Sequence, residues 1–258
     1  MSAIHPTAIV HPGARLGKDV EIGAYSLVGE HVEIGDGTRI GPHVVIAGHT
    51  RIGAANRVSQ FCSIGEEPQD KKYAGEPTRL EIGDHNVIRE FCTFNIGTAQ
   101  DAGITRMGDH NWIMAYVHIA HDCVVGDHTV FANNATLAGH VHIGDFVILG
   151  GFTGVHQFCR VGAHVITGIA SVVRQDVPPF LTVAGNPLAP HGVNTEGLKR
   201  RGFSSEALAG LKRAYKTLYK SGLSLADAQT AIALEAESLP ELQPLADFLA
   251  TSGRGIVR

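Results

Sequence analysis

The sequence predicts an all-β parallel β-helix built from hexapeptide repeats, followed by a small C-terminal α-helical domain. Three observations carry this fold class. Aliphatic residues recur every six positions along most of the chain. Glycine is abundant, 31 of 258 residues, while aromatic residues make up only 6%. From about residue 195 the apolar spacing changes from six to helical. Such a chain turns often and packs aliphatic side chains.

Stepping by six from Ile4 gives Val10, Leu16, Ile22, Val28, Ile34, Ile40, Ile46, Ile52, Val58 and Ile64, and glycine follows at 17, 23, 29, 35, 41, 53 and 65. Residues 66–81 interrupt the series and stand in place of three units, after which the phase returns at Ile82, Ile88 and Phe94. A second break at 98–106 shifts the phase by one. Met107, Ile113, Ile119, Val125, Phe131, Leu137, Ile143, Leu149, Val155, Val161, Thr167 and Val173 then continue it, so that 26 positions match. A period of six is neither the 3.6 of a helix nor the alternation of a hairpin sheet. It fits short strands joined by tight turns, three to a coil of 18 residues, with coils stacked about 4.8 Å apart. The prism is expected over 1–190, with inserted loops near 66–81 and 98–106.

The helical domain is expected over 191–258. Ser204 and Ser205 precede EALAGLKRAYKTLYKSG, in which Leu208, Leu211, Tyr215 and Leu218 share one face and Gly222 marks a stop. A second helix is expected from Ser224, with Asp227 in a capping-box-like position, and a third after Pro240.

Composition excludes several classes. The 21 basic and 25 acidic residues leave a net charge of −4, too mild for binding a nucleic acid by phosphate neutralisation. The four cysteines, Cys62, Cys92, Cys123 and Cys159, form no CxxC pair, which suits a reducing compartment and neither a zinc cage nor a disulfide framework. The N-terminus MSAIHPTAIV lacks the pattern of a signal peptide, and no apolar run is long enough to span a membrane. A cytoplasmic protein is expected.

In a coil of 18, residues 18 apart lie one above another. His121 then stacks under Gly139 and Gly139 under Gln157, Asp122 stands beside His140, and His118 lies one strand step from His121. An imidazole to take a proton from a hydroxyl, a carboxylate to orient it and an unencumbered glycine N–H for an oxyanion are the parts of acyl transfer. Neighbouring strand residues point to opposite faces, so Asp122 reaches His121 only if the backbone bends there. Histidines on such a prism also stack along corners as structure, and in threes they suit a zinc site of γ-carbonic-anhydrase type; both readings stay open here. The insertion carries Asp70, Lys71, Lys72 and Tyr73, fit either for sugar and phosphate groups or for a solvated loop. Between Lys199 and Lys220, seven basic residues (Lys199, Arg200, Arg201, Lys212, Arg213, Lys216 and Lys220) stand against Glu206 alone, a patch suited to an acidic partner or to phosphates.

The run of motifs QDKKYAGEPTRLEIGDHNVIRE, HIAHDCVVG, NNATLAGHV, GVHQFCRVGAHV, DVPP and GVNTEGLKRRGFS closely resembles the UDP-N-acetylglucosamine O-acyltransferase family of lipid A synthesis over nearly the whole chain. The resemblance implies a left-handed coil and a homotrimer with its site between subunits. It implies transfer of a 3-hydroxyacyl chain from acyl carrier protein to the 3-hydroxyl of UDP-N-acetylglucosamine. Neither a metal nor a cofactor is implied beyond the donor's phosphopantetheine. Carried over by motif, His121 is the general base, Asp122 supports it and Gly139 donates to the oxyanion. Asp70, Lys72, His118, His140 and Gln157 would hold sugar nucleotide and acyl group. Asn194, Glu196 and Arg200 would meet the uridine diphosphate, and Arg201 would aid the donor. The basic tail would face the acidic carrier protein. The related N-acyltransferase has an extra N-terminal domain, whereas here the repeats begin at Ile4.

Two departures bear on specificity. Where many members read IHRGT this chain has Phe94, Asn95, Ile96, Gly97 and Thr98, removing a histidine and an arginine expected near the sugar, so the 3-amino analogue stands as the alternative acceptor. Ile169 occupies a position where relatives that take long chains tend to have glycine. It lies about 2.7 coils beyond His121, roughly 13 Å, room for about ten carbons, and so implies a C10 to C12 chain.

Overall fold

In a computed structural model, residues 3–253 and 255–258 are described. Successive short strands visit three parallel walls in turn. The first wall starts with Ala3–Ile4 and Glu21–Ile22, the second with Ile9–Val10 and Leu27–Val28, the third with Arg15–Leu16 and Glu33–Ile34. This is a left-handed parallel β-helix followed by short helices.

Most strands are two residues long, and the period-six residue is the inward one. Ile22, Ile64, Ile88, Ile119, Leu137 and Leu149 are all buried in one continuous core. Ile4 remains exposed because no coil lies beneath it. A second, narrower inward slot opens two residues earlier, where Val20, Ser26, Thr38 and Ala135 sit, and all four cysteines occupy it as buried free thiols.

The corners explain how six residues suffice. Three positions after the inward residue the backbone takes a positive φ, as at Tyr25 (59°), Phe61 (63°), His110 (57°), Asp122 (57°), His140 (62°) and Phe146 (59°). A left-handed residue costs a non-glycine residue about 1 kcal/mol or more. Here its side chain stacks on the equivalent one a coil away, which offsets part of that cost. Tyr25, His43, Phe61, Phe91 and Tyr116 form one such column on the edge between first and second walls. On the edge between third and first walls the column is His85, His110, His128, Phe146, His164 and Phe180. Six of the fifteen histidines, His43, His85, His110, His128, His140 and His164, are such corner residues.

The first insertion corrects the sequence expectation. It does not stand in for three units. Ile64 on the second wall and Ile82 on the third are successive steps, and His49–Ile52 pairs directly with Arg79–Ile82, 30 residues on. The loop 67–78 is therefore added to one unit, and the phase survives because its length is a multiple of six. The next loop lies between Thr93–Asn95 and Ile104–Met107, where Ile82 pairs with Met107. Both loops leave the edge between second and third walls. From Met107 to Val173 the spacing of 18 holds, as in Val125 with Ile143, and it shortens to 16 in the last coil, where Val161 meets Val177 and Thr167 meets Val183.

The prism ends in an antiparallel pairing of Leu181–Ala184 with Ala189–Val193, so the second of these strands runs past residue 190. Four helices follow: α1 (Thr195–Arg200), α2 (Ser205–Tyr219), α3 (Leu225–Ala236) and, after a 3-10 turn at Pro240–Leu242, α4 (Gln243–Ala250). Ser204 caps α2 through Ala207 N, and Ser224 caps α3 while donating to Asp227. Helix α1 is short and was not visible in the apolar spacing. Leu198, Leu208, Leu211, Ile232, Leu242 and Phe248 form its group's own buried cluster. No helix among the described residues is long and apolar enough to cross a membrane.

Candidate active site

The edge that carries both inserted loops also carries His121, Gly139 and Gln157. A cleft of about 890 Å³ opens there, lined by Gln69, Asp70, Lys71 and Lys72 from the first loop and Gln100 and Asp101 from the second. Its floor is His118, Ala120, His121, His140, Gln157 and Phe158. The structure thus brings Asp70, Lys72, His118, His121, His140 and Gln157 together.

The backbone bend that Asp122 required is present, because Asp122 occupies the left-handed corner position. Its carboxylate turns back under the preceding residue and lies 2.9 Å from His121 Nδ1. The same carboxylate accepts from Thr98 N (3.0 Å to each oxygen) and from Thr98 Oγ1 (2.6 Å). Burial pushes this carboxyl up, but the hydrogen bonds from His121 and Thr98 outweigh it and hold it below its ordinary value. An ionised partner at Nδ1 sets the tautomer, leaving Nε2 of His121 as the basic atom.

Gly139 lies over that ring. A Cβ there would stand 2.4 Å from His121 Cε1 and 2.6 Å from Nε2, so any larger residue would displace the His121 ring. On the edge between third and first walls, the N–H groups of Lys18, Ala54, Asp84, Asp109 and Asp127 at the equivalent position each donate to an aspartate one coil on. One coil on from Gly139 the residue is Gln157.

His118 Nδ1 lies 2.7 Å from Thr93 Oγ1, and burial lowers its pKa. His140 stacks on Phe158 (4.4 Å between centroids), meets His121 edge-on and bonds Asp101 Oδ2 through Nδ1 at 2.7 Å. His121, Asp122 and His140 offer ligand atoms within 4.8 Å of one another, close enough to share a cation, with both Nδ1 atoms already facing carboxylates. Thr98, Gln100, Asp101 and Phe158 escaped the sequence reading; the break in phase at 98–106 was the signal that could have found the first three.

Asn194, Glu196, Arg200 and Arg201 are not in this cleft. They belong to α1 and its ends, which pack on the edge between third and first walls. Asn194 spends its amide on structure, accepting from Gly197 N (3.1 Å) and donating to His164 O (2.9 Å). Glu196 pairs with Lys199 at 2.9 Å, and Arg200 is exposed. Arg201 lies over the Phe146 ring at 4.9 Å, and burial lowers its pKa. Arg213 of the basic tail is paired with Glu235.

Ile169 is 74% exposed on the third edge, between first and second walls. The expected climb of about 2.7 coils holds along the axis, but 48 residues is eight units, which ends on a different edge from His121. Asn95 and Ile96 are buried, and neither lines the cleft; Asn95 Nδ2 donates to Glu67 O at 2.9 Å, tying down the root of the first loop. Within one chain neither faces the cleft, because Asn95 closes the strand Thr93–Asn95 against the loop and Ile96 joins the core.

Comparison with known proteins agrees with this geometry. Residues 176–257 match the family described as UDP-N-acetylglucosamine O-acyltransferase, domain 2, and residues 104–139 match the bacterial transferase hexapeptide repeats. The chain is 73% identical over its full length, and the full length of the relative, to the acyl-(acyl carrier protein)–UDP-N-acetylglucosamine O-acyltransferase of Thiobacillus denitrificans. The crystal structure of the UDP-N-acetylglucosamine O-acyltransferase of Moraxella catarrhalis superposes with a TM-score of 0.97 at 49% identity, covering 99% of each chain. The UDP-N-acetylglucosamine acyltransferase of Francisella novicida superposes equally well at 44% identity, over 99% of this chain and 94% of that one. A prism edge with a histidine–carboxylate pair, a glycine against which the histidine ring packs and this full-length likeness have one reading: the chain is an acyltransferase and belongs to the UDP-N-acetylglucosamine O-acyltransferase family.

Proposed function

We propose that the protein transfers a 3-hydroxyacyl chain from the phosphopantetheine thiol of acyl carrier protein to the 3-hydroxyl of UDP-N-acetylglucosamine, an opening step of lipid A synthesis in the cytoplasm. The observation that carries this reading is His121, held by Asp122 through Nδ1 and lying directly beneath Gly139 in a cleft lined by Asp70 and Lys72. His121 Nε2 takes the proton of the 3-hydroxyl as its oxygen attacks the thioester carbonyl. The oxyanion that forms accepts from Gly139 N–H. When the intermediate collapses, the C–S bond breaks and the thiolate takes the proton from the imidazolium, leaving ester and thiol. No metal or further cofactor has a part in this sequence.

Three groups of residues support a homotrimer. The catalytic group, the group on α1 and Ile169 occupy three different edges of one prism, so a single chain cannot bring them to one substrate. Threefold packing of parallel prisms sets edges of neighbouring copies side by side. Asn194, Glu196, Arg200 and Arg201 would then reach a nucleotide bound at a neighbour's His121, and Ile169 would close a neighbour's acyl channel near C10 to C12. The remaining cations of α2 suit the acidic carrier protein.

The test is mass spectrometry of the product from purified protein given UDP-N-acetylglucosamine, its 3-amino analogue and a ladder of 3-hydroxyacyl carrier proteins. The expected product is the C10 or C12 ester, formed at full rate in the presence of chelator. His121→Ala should abolish it, and Ile169→Gly should lengthen the preferred chain. Preference for the amine would reassign the acceptor, unchanged preference in Ile169→Gly would remove the ruler, and loss of activity on chelation would favour a metal centre.

A further inference from the structure

The second inserted loop acts on two of the cleft's three histidines, His121 and His140. Its first residue, Thr98, donates twice to the carboxylate behind His121. Three residues on, Asp101 N turns back onto Thr98 O at 3.3 Å, and the Asp101 side chain crosses to a different coil, where Oδ2 lies 2.7 Å from His140 Nδ1. Asp122 cannot fill that role, since its nearest oxygen is 4.0 Å from His140 Nδ1, beyond hydrogen-bond reach. The imidazole plane is fixed as well, by Phe158 on its face and His121 against its edge. The orientation of the His140 ring and the partner of its Nδ1 are thus both set by neighbouring side chains.

We propose that Asp101 is a positioning residue: its carboxylate holds His140 in the Nδ1–H tautomer, so that Nε2 presents a hydrogen-bond acceptor to a hydroxyl of the acceptor sugar. An unrestrained imidazole favours the proton on Nε2, which would offer the same hydroxyl a donor instead. His140 lines the cleft, and with Nδ1 committed to Asp101 the opposite nitrogen is the polar atom left to face it. The pairing parallels that of Asp122 with His121, and it makes the cleft floor two carboxylate–imidazole pairs held by one loop. The role of Asp101 in acceptor binding rests on the transfer reading above; the tautomer does not.

The experiment uses the full-length protein labelled with ¹⁵N-histidine, in which a long-range ¹H–¹⁵N correlation shows which ring nitrogen of His140 carries the proton, assigned by the signal missing from His140→Gln. The expected result is Nδ1–H in the unaltered protein and Nε2–H in Asp101→Ala. In transfer assays Asp101→Ala should raise the KM for UDP-N-acetylglucosamine about tenfold, the loss of one charge-assisted hydrogen bond, with kcat within about threefold. Asp101→Asn, whose amide oxygen still accepts from Nδ1–H, should restore most of both readouts. In a His140→Ala background Asp101→Ala should change KM no further. Nε2–H in the unaltered protein, an unchanged KM in Asp101→Ala, or additive losses in the cycle would overturn the proposal. If the unaltered protein transferred no acyl chain at all, the transfer reading would fail while the tautomer result stood by itself.

Discussion

At the scale of single residues, the cleft depends on one missing side chain. Gly139 does not take a left-handed φ, so its requirement is steric and comes from the His121 ring, which stands where a Cβ would be. Gly139→Ala should therefore fold, because the crowded neighbour is a side chain that can rotate away, but it should lose activity by at least about 100-fold. The added methyl keeps the backbone N–H but pushes the His121 ring away from the hydroxyl, and a general base alone is worth about 100-fold or more. Steady-state kinetics beside circular dichroism checks this; activity within a few-fold of the parent would contradict the stacking. Asp122 shows the same economy: a left-handed corner, a buried carboxylate and two hydrogen bonds from Thr98 turn a strand neighbour into the partner of His121.

At the scale of elements, the short helix α1 has too few turns to stand by propensity. It is held by its cap. The Asn194 amide satisfies Gly197 N at one end and the His164 carbonyl, on the last corner column, at the other. Asn194→Ala should cost about 1 kcal/mol, lowering the melting temperature by about 2–4 °C for a chain of this size, and Asn194→Ser should recover part of it. A melting curve unmoved by the alanine would mean that α1 is held by Leu198 alone. Were Asn194 also to touch nucleotide, the same variants would raise the KM for it beyond what stability explains.

At the scale of the whole molecule, half-buried histidines set the acid response. Partial burial pushes His118 down, and partial burial together with Arg201 brings His164 to about 4. In the unfolded chain these rings titrate near 6.5. Between those values the unfolded state binds more protons, so their contribution is complete above about pH 6.5 and is lost as pH falls towards 4. Asp122, also held low, adds its own loss below about pH 4. Urea midpoints at pH 7.5, 6 and 5 should fall in that order, with a shallower slope in His164→Gln. Midpoints that rose on acidification would contradict the burial of these rings.

The period of six determined the prism, its inward aliphatics and the stacking of His121 under Gly139 under Gln157, because a coil of fixed length turns sequence separation directly into height and edge. Capping serines likewise announced α2 and α3. Only the tertiary structure decided which edge each group lies on. The loop 67–78 kept the phase while adding to a single unit, so the sequence could not show that both loops overhang the histidines. Thr98, Asp101 and Phe158 join the cleft through contacts between coils and loops. Asn194, a ligand in the motif, is also the cap of α1, and Ile169 sits two-thirds of a turn from His121. A repeat records what recurs along the axis, and a site is made where insertions and corners break that recurrence.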